Sequence, residues 1–120
     1  MQTNKLNGLL GLCKKSGNLI VGSDPVLSAI RNKKRAPALV LLAADASANT
    51  QKRIRNCCAY YKIKLFGLPL DADTLGHLTG KRGAVAVAGV LDSGFAEAIG
   101  RLLQESDPEN IDREHREDKE

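Results

Sequence analysis

Four short, nearly uninterrupted apolar runs, each followed by a segment with apolar side chains at helical spacing, constrain this 120-residue chain more than any other feature. The clearest is Ala38-Leu39-Val40-Leu41-Leu42-Ala43. A strand that is apolar at every position has both faces covered, so this run predicts the central strand of a sheet with helices on each side. Leu19-Ile20-Val21, Lys64-Leu65-Phe66-Gly67 and residues 84–91 supply three more strands. A helix precedes the first strand, with Leu6, Leu9, Leu10 and Cys13 at helical spacing. The order helix, then strand and helix four times over, predicts an α/β fold: a three-layer α/β/α sandwich with a four-stranded mixed central sheet.

The punctuation between these segments agrees. Ser16-Gly17-Asn18 ends the first helix. Gly22-Ser23-Asp24-Pro25 opens the second, with Ser23 or Asp24 as its cap and Pro25 in the first turn, where a missing N–H costs nothing. Val26, Leu27, Ala29 and Ile30 form its buried side, and Arg31, Asn32, Lys33, Lys34 and Arg35 close it with cations suited to the helix dipole. Asp45, Ser47 and Asn49 offer caps for a third helix with an apolar stripe of Ile54, Cys57, Cys58 and Tyr61. Asp71 or Asp73 starts a brief helix through Leu75 and Leu78, and Gly80-Lys81-Arg82-Gly83 is a turn. A last helix covers residues 92–103 on Phe95, Ile99, Leu102 and Leu103.

Charge divides the chain into two parts. Residues 105–120 hold eight acidic and three basic side chains and almost no apolar content, which predicts a disordered acidic tail. Residues 1–104 form the folded domain, with 15 basic and 6 acidic groups and Glu97 as the only glutamate. A body so short of carboxylates carries a positive field that draws polyanions.

Other chemistries are poorly supplied. Cys13, Cys57 and Cys58 are odd in number and contain no Cys-x-x-Cys pair, so neither a disulfide framework nor a zinc site is expected. Residues 1–7 lack a signal-peptide apolar run, and no stretch reaches membrane-spanning length, so a cytoplasmic location is expected and a membrane is not. His77 and His115 lie in no motif with a nucleophile or a metal ligand. Gly76-His77-Leu78-Thr79-Gly80-Lys81-Arg82 fails as a phosphate loop: its glycines are one residue too close, and Arg82 stands where a hydroxyl should bind magnesium. No enzyme active site, cofactor, metal or small-molecule substrate is expected.

Binding is better supplied. Gly22 lets a backbone approach closely where a strand passes into a helix, and the first N–H groups of that helix favour an anion. A plain helix start has the same appearance. Lys14, Lys15, Arg31, Lys33 and Lys34 border this segment, and Lys81 and Arg82 sit in a glycine-hinged turn. Each cation alone reads as a solvated charge; their company in a carboxylate-poor body is the informative feature.

Four stretches carry a resemblance. They are Leu9-Leu10-Gly11-Leu12 leading to Gly22-Ser23-Asp24-Pro25, residues 45–53 after the central strand, residues 75–81 before the last strand, and Asp92-Ser93-Gly94-Phe95-Ala96. In this order and spacing the chain resembles the ribosomal protein L-seven-Ae family of kink-turn RNA-binding proteins, and most of all its bacterial YlxQ-like branch. The resemblance covers about residues 5–103. It implies a three-layer α/β/α sandwich and an RNA site made by the loop after the first strand and the loop before the last.

The family's first loop reads Gly, a small residue, Asn, Glu, two variable positions and Lys. Gly22 and Ser23 match; Asp24, Pro25 and Ser28 replace the asparagine, glutamate and lysine. Exchanging the amide for a carboxylate removes a donor and adds a charge that repels phosphate. Lys81, Arg82, Gly83 and Ala84 take the second loop, which is more electrostatic here than in the family.

The expected function is recognition of structured RNA, ribosomal or regulatory, by a monomer. Its site would comprise Gly22, Ser23, Asp24, Pro25, Ser28, Arg31, Lys14, Lys15, Lys81, Arg82, Gly83 and Ala84. A protein-interaction module on the same fold is the alternative.

Overall fold

The computed structural model describes residues 3–32 and 35–106. The elements in order are α1 (Thr3–Lys15), β1 (Leu19–Val21), α2 (Ser23–Arg31), β2 (Leu39–Leu42), α3 (Ala48–Tyr61), β3 (Lys64–Gly67), α4 (Ala72–Leu78), β4 (Val87–Val90) and α5 (Ser93–Ser106). The four strands form one sheet in the order β1-β4-β2-β3. β4 runs antiparallel to both neighbours, pairing Val21 with Ala88 and Leu42 with Val87, while β2 and β3 are parallel. β1, β2 and β3 therefore all point toward one end of the sheet, and β4 starts there.

The central position of β2 follows from its side chains, which are buried at all four places. Alternation along a strand sends successive residues to opposite faces. Leu39 and Leu41 pack on one side with Leu6, Leu10 and Cys13 of α1, Leu75 of α4 and Ile99, Leu102 and Leu103 of α5. Val40 and Leu42 pack on the other with Val26, Leu27 and Ile30 of α2 and Ile54, Cys57 and Cys58 of α3. Two cores separated by one sheet make the three-layer sandwich. Both are mainly aliphatic, with Phe66 and three cysteines buried among them and Phe95 and Tyr61 packed at their margins, as the scarcity of aromatic residues predicts.

Three boundaries move. β4 covers four residues rather than residues 84–91, because the Val85 N–H donates to Ala72 O of α4 at 2.9 Å and draws the preceding segment off the sheet. α5 continues three residues beyond Leu103 to Ser106. α2 begins at Ser23, so Ser23 and Asp24 lie inside its first turn and Gly22 takes the cap position without any side-chain cap bond. Pro25 is tolerated at the third helical place because that N–H would have had no intrahelical acceptor. The acidic stretch expected to be disordered lies, from residue 107 on, outside the described residues, as do Lys33 and Lys34.

Candidate functional site

The shared direction of β1, β2 and β3 gathers their C-terminal loops at one end of the sheet. The Gly22 N–H donates to Val87 O at 2.8 Å, so the loop after β1 is fastened to the first residue of β4 and to the segment that feeds it. Ala43 N donates to Ala86 O at 2.8 Å and Ala44 N to Leu70 O at 2.7 Å, adding the loops after β2 and β3. The two loops implied as an RNA site thus lie side by side, held by backbone bonds.

Gly22 has φ 105 and ψ 148, a backbone conformation that side chains strongly disfavour. A Cβ here would also sit 3.3 Å from Pro25 Cδ. Its N–H is taken by Val87 and its carbonyl accepts from Val26 N at 3.1 Å. The N–H groups of Ser23 and Asp24 start the helix, and Pro25 has none to offer. Asp24 is almost fully exposed, and its Oδ1 receives Arg53 Nη2 of α3 at 3.4 Å. An exposed pair of this kind adds little stability, yet it partly offsets the charge that would repel phosphate.

The second loop is built by the end of α4. Gly80 N donates to His77 O at 3.2 Å and Lys81 N to Gly76 O at 2.9 Å, the paired bonds of a Schellman turn, with Gly80 at φ 76. Buried Thr79 closes its hydroxyl on Leu75 O at 2.9 Å and Gly76 O at 3.2 Å. Residues 81–84, all exposed, then fold back so that Gly83 O lies directly against the Cα of Gly76, leaving no room for any side chain there. Lys81 and Arg82 are consequently presented to solvent on a backbone anchored to α4.

Carboxylates at this end serve the frame. Asp71 Oδ1 accepts from Thr74 N at 2.8 Å, which holds its carboxyl below the usual range. Asp45 Oδ1 accepts from Ala72 N at 2.8 Å and ties the loop after β2 to α4 rather than capping α3. That role falls to Ser47, whose hydroxyl accepts from Thr50 N at 3.1 Å.

The candidate residues divide between the two ends of the sheet. Gly22, Ser23, Asp24 and Pro25 lie at the glycine-loop end, bonded through Gly22 to the strand that Lys81, Arg82, Gly83 and Ala84 lead into, and Ser28 follows on the exposed side of α2. Lys14 and Lys15 close α1 just before β1 begins, and Arg31 closes α2, so these three stand at the opposite end. Sequence reading missed Arg53, which reaches Asp24 across 29 positions; only the stretch 45–53 in the resemblance pointed toward it. It also missed Gly76, whose neighbour Gly83 follows only from the fold.

All three thiols are buried, and burial, with Asp92 nearby, pushes Cys13 up to about 11. Burial also raises Cys57, against an opposing pull from Arg31. His77 is exposed. Among the described residues no cluster of His, Cys, Asp or Glu could hold a metal ion, and no helix is long and apolar enough to cross a membrane.

A family model described as the Ribosomal protein L7Ae/L30e/S12e/Gadd45 family matches residues 4–100. The chain is 41% identical over 95 residues to the RNA-binding protein YlxQ of Bacillus subtilis (strain 168), covering 79% of this chain and 91% of that one. It is 34% identical over 100 residues to the RNA-binding protein YlxQ of Enterococcus faecium, covering 83% and 92%. A solved protein of unknown function from Bacillus halodurans superimposes with a TM-score of 0.75 at 31% identity, over 83% of this chain and 97% of that one. The Giardia lamblia 15.5kD RNA binding protein shares the fold, with a TM-score of 0.65 at 19% identity over 83% and 85%.

Proposed function

The chain belongs to the Ribosomal protein L7Ae/L30e/S12e/Gadd45 family, and on that premise we propose that it is a non-catalytic protein that binds structured RNA through the glycine-loop end of its sheet. The observation that carries this reading is the bond from Gly22 N to Val87 O, which sets a tight glycine loop beside the segment bearing Lys81 and Arg82. Two kinds of contact follow. The loop of Gly22, Ser23, Asp24 and Pro25 offers a backbone surface and a carboxylate that can accept from amino groups of bases. Lys81 and Arg82 neutralise phosphate without reading sequence. The relatives named as RNA-binding proteins support the ligand class.

Asp24 decides how RNA is read. Where the family presents an amide, this chain presents a carboxylate shared with Arg53, so donor and acceptor contacts to a sheared G·A pair are altered. The RNA is a ribosomal or regulatory element with a kinked or looped segment, bound in the cytoplasm.

A titration of a kink-turn hairpin and of a plain duplex of equal length tests the reading. Lys81→Ala with Arg82→Ala should weaken both RNAs alike and flatten the salt dependence by up to about two phosphate contacts. Asp24→Asn should tighten the kink-turn alone. If neither change alters binding of either RNA, this end of the sheet is not the RNA surface.

A further inference from the structure

Resting on that reading, we propose that the opposite end of the sheet is a second RNA-binding surface, where Tyr60 stacks an unpaired base and Arg31 and Lys62 hold its flanking phosphates. The positive excess of the body is concentrated there. Lys14, Lys15, Arg31, Arg35, Lys62 and Lys64 are all exposed at or next to this end. Two carboxylates lie near them: Asp92, occupied as the acceptor of Phe95 N at 2.9 Å, and Glu97, which lines a groove with Lys62 and Lys64 and pairs with Arg101 at 3.7 Å. At the glycine-loop end, by contrast, Asp24, Asp45, Asp71 and Asp73 stand among Lys52, Arg53, Lys81 and Arg82.

Tyr60 supplies an aromatic face. It is 79% exposed at the close of α3, although the chain has only two tyrosines and no tryptophan. Its ring meets Tyr61 edge to face, with centroids 4.9 Å apart and planes at 78°, which limits its orientations. Both rings line a groove of about 350 Å³ between α2 and α3 together with Arg31, Arg53 and Asn56. Arg53 is also the partner of Asp24, so the groove connects the two ends. An exposed aromatic flanked by arginines suits a single-stranded segment, since any base can stack and the guanidinium groups meet phosphate.

Lys62 adds an independent observation. Helices α1, α3 and α4 end in the same Schellman turn, with the left-handed position held by Gly17, Lys62 and Gly80. Glycine is the unstrained choice, and Lys62 adopts φ 60 at a cost in stability. Strain retained at one position is a mark of function when the side chain it preserves has a task. Here it keeps an ammonium two residues after Tyr60 at the same end of α3, on the rim of a neighbouring groove that Lys64 and Arg101 also line.

Fluorescence anisotropy with an oligouridine of about ten nucleotides, and with a kink-turn hairpin lacking single-stranded extensions, separates the surfaces. Tyr60→Ala should weaken oligouridine about tenfold and Tyr60→Phe by less than about twofold, since a phenyl ring still stacks. Lys62→Gly should raise the thermal midpoint while weakening oligouridine, an opposition that a purely structural lysine would not produce. Both sets should leave hairpin affinity within about twofold, and Lys81→Ala with Arg82→Ala should do the reverse. If oligouridine binding ignores Tyr60→Ala and Lys62→Gly while the hairpin still responds to the Lys81 and Arg82 changes, the second surface is wrong and the first stands. If Tyr60→Phe is as weak as Tyr60→Ala, stacking is wrong. If the unaltered protein binds neither RNA, the RNA reading itself fails and this inference with it.

Discussion

The two ends of the sheet are made by opposite means. At the glycine-loop end the backbone does the work: Gly22 at φ 105 bonds to Val87, Gly80 at φ 76 turns the chain, and Gly83 lies on Gly76. Two of its carboxylates, Asp71 and Asp45, serve a cap and a tie, and its four cations stand among four aspartates. At the other end, among the described residues, the backbone is ordinary apart from Gly17 and Lys62, and side-chain charge dominates. On the proposed reading, shape is preorganised where selectivity is needed, because phosphate contacts position a nucleic acid and say nothing of its sequence, and charge collects where any strand would serve. The comparison carries a consequence for mutation: backbone changes should injure the first end and charge changes the second.

Gly76→Ala should have the largest effect. The added methyl meets a backbone carbonyl, that of Gly83, which cannot rotate away, so residues 81–84 must leave α4 or the helix must shift. Steric overpacking of this severity costs on the order of 3 kcal/mol or more. Binding of a kink-turn hairpin should fall by more than tenfold in whatever protein remains folded, measured at a temperature well below the lowered midpoint. Oligouridine binding should survive, because no residue of the Tyr60 groove belongs to α4. Equal loss of both RNAs would merge the two surfaces into one.

Gly22→Val comes next and sharpens the contrast when set beside Gly17→Ala. At Gly22 the positive-φ backbone and the 3.3 Å approach to Pro25 Cδ act together, and about 1–3 kcal/mol of stability should be lost along with hairpin affinity. Sequence alone leaves open whether Gly22 has a positive φ; at φ 105 a loss of stability is expected beside the expected loss of affinity. Gly17, at φ 80, has open space within 4 Å of where a methyl would stand, so Gly17→Ala should cost about 1 kcal/mol from backbone strain alone. Hairpin affinity should not change with it. Thermal melts and anisotropy titrations on the same preparations give both quantities.

Most of the frame was legible because it depends on local pattern. The uniform apolar run at Leu39-Val40-Leu41-Leu42 could only be a strand covered on both faces, and Gly17 and Gly80 announced helix ends. What could not be read was long-range. Nothing in the spacing of Gly76 and Gly83 says that the carbonyl of one rests on the Cα of the other, and nothing near Arg53 says that Asp24 lies 3.4 Å away. Lys14, Lys15 and Arg31 were grouped with Gly22 because they neighbour it along the chain. A three-residue strand on one side, and a nine-residue helix on the other, carry them to the far end. The direction of a strand separates what sequence adjacency joins.

The smallest expected effect concerns residues 107–120, which carry seven acidic and three basic side chains. α5 starts beside the lysine end, where Leu91 N donates to Asn18 O at 2.8 Å, and runs back over the sheet. Gly100 already lies against Phe66, the third of four residues in a strand that points toward the glycine-loop end. Ser106 therefore lies nearer that end, and on the proposed reading the net negative charge of residues 107–120 is expected to act first on RNA bound there. Truncation after Ser106 should leave the thermal midpoint within about 2 °C, since the apolar residues removed amount to Ile111 alone. Hairpin affinity should rise about two- to threefold at low salt, and the gain should vanish as the Debye length shrinks to about 8 Å near physiological ionic strength. Oligouridine affinity, set at the other end, should move less. A gain of equal size for both RNAs would show that the removed charge acts on the molecule as a whole, and a large fall in the midpoint would show that this segment packs on the body.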